Sequence, residues 1–187
     1  MGGIGSILVL LTPVPSIGWV LGIVGFILTL IAIKHISDVV GDRTIYSNMM
    51  ISVIMAIISI AIAAVTVIAA FLRILGMGSF VGSTFVLSPN LQPGDWVGFA
   101  LAVIPGLIAV WILLILSAVF LRRSYNSIAA RVNIKMFETA ALIYLIGAAT
   151  VIVAIGFLLI IVAEILFAIA FFSIQDLPKG TGPAQAT

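Results

Sequence analysis

Residues 49–72 read MMISVIMAIISIAIAAVTVIAAFL, a run without one charged side chain. The hydrocarbon core of a bilayer is about 30 Å thick, and an α-helix needs about 20 apolar residues to cross it. Lipid offers backbone N–H and C=O groups no partner, so such a run crosses as a helix. A barrel strand would alternate polar and apolar positions, and residues 51–70 do not. Three further stretches have the same character. They are residues 1–33, interrupted by Thr12-Pro13-Val14-Pro15-Ser16, then residues 96–121, and residues 139–163, which continue past Glu164 to Phe172. The expected fold class is all-α: a polytopic membrane protein with four transmembrane helices.

Composition points the same way. Of the 187 residues, 64% are hydrophobic and 7% charged, and the mean hydropathy is +1.43. A soluble domain carries about 25% charged residues, so this chain cannot cover a water-facing surface. High hydrophobicity also excludes disorder. The absence of cysteine removes disulfides, thiolate metal sites and a Cys nucleophile, and His35 is the single histidine. A net charge of +2 with no block of like charges gives no nucleic-acid surface. No Ser/His/Asp group, carboxylate pair, phosphate loop or metal-ligand spacing is present. The chain is therefore expected not to be an enzyme, with no catalytic residue, cofactor or metal. Gly2 and Ser6 fit the N-myristoylation pattern, but a lipid anchor is redundant on so apolar a chain.

Lys and Arg set the expected orientation. Lys34 and Arg43 follow the first span, and Arg122, Arg123, Arg131 and Lys135 follow the third, against Arg73 and Lys179 on the other side. The first group marks the cytoplasmic face of the cell membrane, which puts both termini outside. The chain also matches itself at an offset of 92 residues. Pro13 meets Pro105, Trp19 meets Trp111, Val40 meets Val132, Gly41 meets Asn133 and Arg43 meets Lys135. The expected organisation is thus two parallel-repeat helical hairpins, residues 1–92 and 93–175, with a short polar tail, 176–187.

A resemblance rests on Gly2-Gly3-Ile4-Gly5-Ser6-Ile7-Leu8, Ile31-Ala32-Ile33-Lys34-His35-Ile36-Ser37-Asp38 and Gly41-Asp42-Arg43. It extends to Leu142-Ile143-Tyr144-Leu145-Ile146-Gly147-Ala148 and Ala170-Phe171-Phe172-Ser173-Ile174. Together these resemble a family of small archaeal four-span membrane proteins classed as a domain of unknown function. The resemblance implies an archaeal cytoplasmic-membrane protein, and it carries over neither an activity nor a functional residue.

The candidate sites are few. Glu164 is the one ionisable residue inside an apolar stretch, and intramembrane carboxylates are functional candidates by default. Counted from Thr139 on a straight helix it stands about 37 Å up, near the outer boundary. Gly18, Gly22 and Gly25 share one face of the first span and invite a close helix partner. Arg122, Arg123, Arg131 and Lys135 are candidate lipid-headgroup contacts, with Ile128, Val132 and Met136 as an apolar stripe beside Arg131 and Lys135. Asp38, Asp42 and Arg43 can pair locally or meet Arg131 and Lys135 across the repeat. Ser52, Ser59, Thr66, Ser117 and Thr150 read as scattered, without a pore stripe. In the outer loop, residues 80–87 are apolar and rich in β-formers.

The first and last apolar runs, at about 50 Å each as single helices, exceed the bilayer core. Pro13 and Pro15 break the first into a short helix or re-entrant piece and a main span. The last must tilt, bend near Gly147 or Gly156, or protrude onto a partner. The expected partners are membrane lipids and a homo-oligomer or larger membrane assembly, in a structural or interaction role. The alternative is a small channel or transporter component using Glu164.

Overall fold

Apolar runs that cannot leave backbone groups unpaired form helices here almost throughout. The computed structural model describes residues 2–12, 14–74, 79–81, 84–86 and 95–175. In chain order the elements are α1 (Gly2–Leu10), α2 (Gly18–Val40), α3 (Arg43–Ile74), β1 (Ser79–Val81), β2 (Thr84–Val86), α4 (Asp95–Val132), α5 (Met136–Thr150) and α6 (Ile155–Gln175). β1 and β2 pair antiparallel, Ser79 opposite Val86, within the stretch of β-forming residues. The rest of the connection from α3 to α4 lies outside the described residues.

Among the described residues five helices are long and apolar enough to cross a membrane, not four: α2, α3, α4, α5 and α6. The extra span comes from the last apolar run. Instead of one overlong helix, it turns through a 3₁₀ segment, Val151–Val153, and Ala154 at φ 62°, and folds back as α6. Two glycines let the hairpin close. A Cβ on Gly147 would stand 3.0 Å from the Gly156 carbonyl oxygen, and one on Gly156 would overlap the Gly147 carbonyl and the Val151 backbone. Folding back keeps an otherwise protruding apolar end inside the bundle.

The first run breaks at its prolines, and Ser16 there takes φ 72°. With 9 residues, α1 is about 13 Å long and too short to cross. It runs antiparallel along α2, with Thr12 beside Gly18 and Gly22, and Gly5 beside Gly25 and Thr29. Its other end meets α6, where Gly2 and Gly3 abut Phe171 and Phe172.

The turns between α2 and α3 and between α4 and α5 each use a left-handed residue, Gly41 at φ 72° and Asn133 at φ 57°. Ser37 secures the first turn: its carbonyl accepts from the Gly41 and Asp42 N–H groups, and its hydroxyl donates to the Asp42 carbonyl at 2.8 Å. Ile174, near the end of α6, lines one groove with His35, Arg131 and Asn133. Gly2 lines another with His35 and Ile174. The described ends of the chain thus lie with these turns, whereas four spans would carry both termini to the opposite end. The additional fold-back changes the parity.

The helices group into two compact units, residues 1–50 with 118–187, and residues 51–117. At the centre of the first, Tyr125 of α4 stacks on Phe167 of α6 at 4.1 Å and on Phe137 of α5 at 5.7 Å. Phe171 meets Phe137 edge-on at 5.0 Å. In the second unit α3 and α4 run antiparallel along a seam of small and hydroxyl side chains. The outer faces are the reverse of a soluble protein's: Trp19 (64% exposed), Ile60 (67%), Leu107 (55%) and Leu158 (65%) point outward. Such faces match a lipid surround.

Candidate functional site

Glu164 moves most relative to the straight-helix expectation. The α5–α6 fold-back moves it from the far end of one long helix to the middle of the span Ile155–Ile174. It is half-buried on α6, three residues before Phe167. Its carboxyl lies near enough to Tyr125 of α4 and Tyr144 of α5 to act on both phenols electrostatically. A contact between Glu164 and the Arg73 side chain falls outside the described residues.

Gly18, Gly22 and Gly25 are buried, and what they admit is α1. A Cβ on Gly25 would stand 2.5 Å from the Gly5 carbonyl oxygen and 2.7 Å from the Leu8 Cβ. The close partner of this face is therefore a segment of the same chain. α1 fits because its own face is Gly2, Gly3, Gly5 and Ser6, all buried.

The four basic residues separate. The segment carrying most of them is the continuous end of α4, and of the apolar stripe beside it Ile128 is fully buried while Val132 and Met136 are half-buried. The reason is that Ser124, Tyr125, Ile128 and Ala129 make one helix face that packs in the core. Arg122 lies part-buried, its Nε without a partner among the described residues, as is Asn126 Oδ1 one turn on. Arg123 is exposed, 5.3 Å from the Phe120 ring. Lys135 is exposed in the α4–α5 turn. Arg131 reaches across to Asp42, Nη2 to Oδ2 at 3.3 Å. The Asp42 carboxylate also accepts from the Thr44 hydroxyl at 2.5 Å and the Thr44 N–H at 3.1 Å. These Thr44 bonds, then Arg131, hold its pKa below the ordinary 3.8.

One constellation escaped the sequence reading. Ser52, Ser59 and Thr66, spaced seven apart, are all buried along one line of α3. Ser117 donates to the Ser52 carbonyl at 2.9 Å, and the two hydroxyls lie 3.0 Å apart. Ser59 donates to the Val110 carbonyl at 3.2 Å, and Gly106 opens beside Thr66. These are packing contacts of the kind that bind membrane helices, not a pore lining. The seven-residue spacing was the available signal.

Among the described residues no group of three His, Asp or Glu side chains could hold a metal ion. Comparison with known proteins then sets the family. A family described as a protein of unknown function, DUF996, matches residues 21–165. The chain belongs to the DUF996 family. It is similar to the uncharacterized protein MJ1644 of Methanocaldococcus jannaschii, with 30% identity over 178 residues, 94% of this chain and 90% of that one. No solved structure matches the chain. The DUF996 match begins in α2 and ends just after Glu164. The resemblance to an archaeal family of unknown function is thereby established, while its four spans give way to five candidate spans.

Proposed function

We propose that this DUF996 member is an integral protein of the cytoplasmic membrane that acts through helix packing, by association with itself or within a larger assembly, and not through catalysis. One observation carries the reading. Large apolar side chains line the outer faces of the helices while glycine, serine and threonine fill the seams between them, as lipid-embedded bundles are built. The basic turns holding Arg43 and Lys135 face the cytoplasm in this proposal. That puts the ends of α1 and α6 there too. Arg123, Arg131 and Lys135, at this end, meet lipid headgroups. The left-handed turns at Gly41 and Asn133, 92 residues apart, support two related halves.

Because α1 occupies the Gly18–Gly22–Gly25 face, any partner uses another surface. Alkaline carbonate extraction tests membrane residence, with the protein expected in the pellet. Crosslinking in native membranes tests association. A soluble protein, or one that stays alone at every concentration, sinks the proposal.

A second reading is favoured by the position of Glu164, in mid-span and near two phenols. There a carboxylate serves a small channel or transporter as its ionisable site. Proton or cation flux into liposomes, abolished by Glu164→Gln, is the expected result; flux absent from the unaltered protein, or unchanged in the variant, rejects it.

A further inference from the structure

A groove of about 430 Å³ lies between α2 and α3 beside the Gly41 turn. α2 lines it with Lys34, Ser37 and Asp38, and α3 with Arg43, Tyr46 and Ser47 above Met50. The spacing explains the lining. Lys34, Ser37 and Asp38 lie on one helical face, as do Arg43, Tyr46, Ser47 and Met50, and the turn sets the two faces opposite each other. Lys34 Nζ stands 6.0 Å from the centre of the Tyr46 ring. Among the described residues the one ion pair is Arg131–Asp42, so neither Lys34 nor Arg43 is neutralised by a carboxylate partner. Two cations thus face one carboxylate, Asp38, in a groove that also offers the hydroxyls of Tyr46 and Ser47, that of Ser37 being engaged by the Asp42 carbonyl.

We infer that this groove binds the phosphate of an anionic membrane lipid. A phosphate oxygen accepts from Lys, Arg and hydroxyl donors together, and the charged hydrogen bonds are the strong ones. The groove sits where two spans end, the depth at which headgroups lie, and Met50 gives it an apolar floor. Topology alone does not require such a groove. At the second basic turn, 92 residues on, Asn126, Lys135 and Glu138 stand where Lys34, Arg43 and Tyr46 stand in the first. Ala130 stands there for Asp38, so Glu138 only replaces one carboxylate, and the loss of one cation leaves that set neutral and less suited to phosphate, while the turn still carries its topogenic Lys135.

The inference rests on the basic turns lying at the membrane surface, which carbonate extraction tests separately. A protein that pellets with membranes yet fails the following test overturns the lipid site alone. The test is native mass spectrometry of the full chain in detergent, titrated with phosphatidylglycerol, phosphatidylcholine or inorganic phosphate. A tight first phosphatidylglycerol adduct is expected. Lys34→Gln and Arg43→Gln each weaken it about fivefold, from the usual worth of one cation near an anionic surface. Asp38→Asn strengthens it. Tyr46→Phe, which changes no charge, weakens it several-fold, a readout that diffuse electrostatics would not move. Circular dichroism confirms that each variant stays helical. Equal retention of phosphatidylcholine, displacement by inorganic phosphate at lipid-equivalent concentration, or indifference to the Lys34, Arg43 and Tyr46 changes overturns the proposal.

Discussion

Asp42 is the carboxylate whose surroundings most clearly favour its charge. Two hydrogen bonds from Thr44 and the Arg131 guanidinium stabilise the ionised form and leave the protonated form without that gain. Its folded pKa lies below 3.8, so its contribution to stability is complete above the unfolded value and is lost as the pH falls through the folded one. Asp42→Asn is accordingly expected to lower the melting temperature slightly at neutral pH. The gap from the unaltered protein should close as the pH drops below the ordinary carboxylate value. Thermal melts across the acid range in one detergent check this, and a gap that widens with acid contradicts it. The Asp42–Arg131 pair was one of several that the charges of the two basic turns left open, Asp38, Arg43 and Lys135 being equally available, and only the fold selects it. The depth of Glu164 was not legible in the sequence either. Residue counting assumes a straight helix, and the turn at Ala154 changes the direction of counting.

At the scale of elements, close approach of backbones decides the packing. Gly156→Ala is expected to cost about 1–3 kcal/mol, because its methyl group overlaps the backbone of α5 and the hairpin must open. Gly41→Ala meets no atom within 4 Å and suffers only from its φ of 72°, a cost of about 1–2 kcal/mol. Denaturation in mixed micelles measures both. A crosslink between cysteines placed near Gly147 and Ile160 should form less readily in the Gly156 variant and normally in the Gly41 one. In the α3–α4 seam, Ser117→Ala should destabilise more than Ser52→Ala. Ser117 donates to a backbone carbonyl as well as meeting the facing hydroxyl. The coupling in a double-mutant cycle should be about 0.6 kcal/mol, typical of hydroxyl bonds between membrane helices. Equal single effects with no coupling would contradict the seam. Ser52, Ser59 and Thr66 looked scattered in one dimension because each acquires its meaning from an antiparallel partner far along the chain, Ser117, Val110 and Gly106 in turn.

For the whole molecule, the number of crossings can be read directly, since the chain contains no cysteine. Single cysteines at Asn133 and Ser173 should react with a membrane-impermeant maleimide from the same side, and one at Ile152 from the other. In a chain of four spans Asn133 and Ser173 would label from opposite sides, so that outcome rejects the α5–α6 hairpin. What the sequence determined by itself is helical structure long and apolar enough to cross a membrane, the position of the basic turns and the breakage of the first apolar run at its prolines. These follow from local quantities: apolar length, charge and the missing N–H of proline. Only the tertiary structure decided that the last run folds back, that α1 fills the Gly18–Gly22–Gly25 face, and that Glu164 lies in mid-span. A long apolar run satisfies lipid equally well as one tilted helix or as two. The choice falls to the contacts each makes, here Gly147 against Gly156, Phe171 against Gly2, and Tyr125 stacked on Phe167.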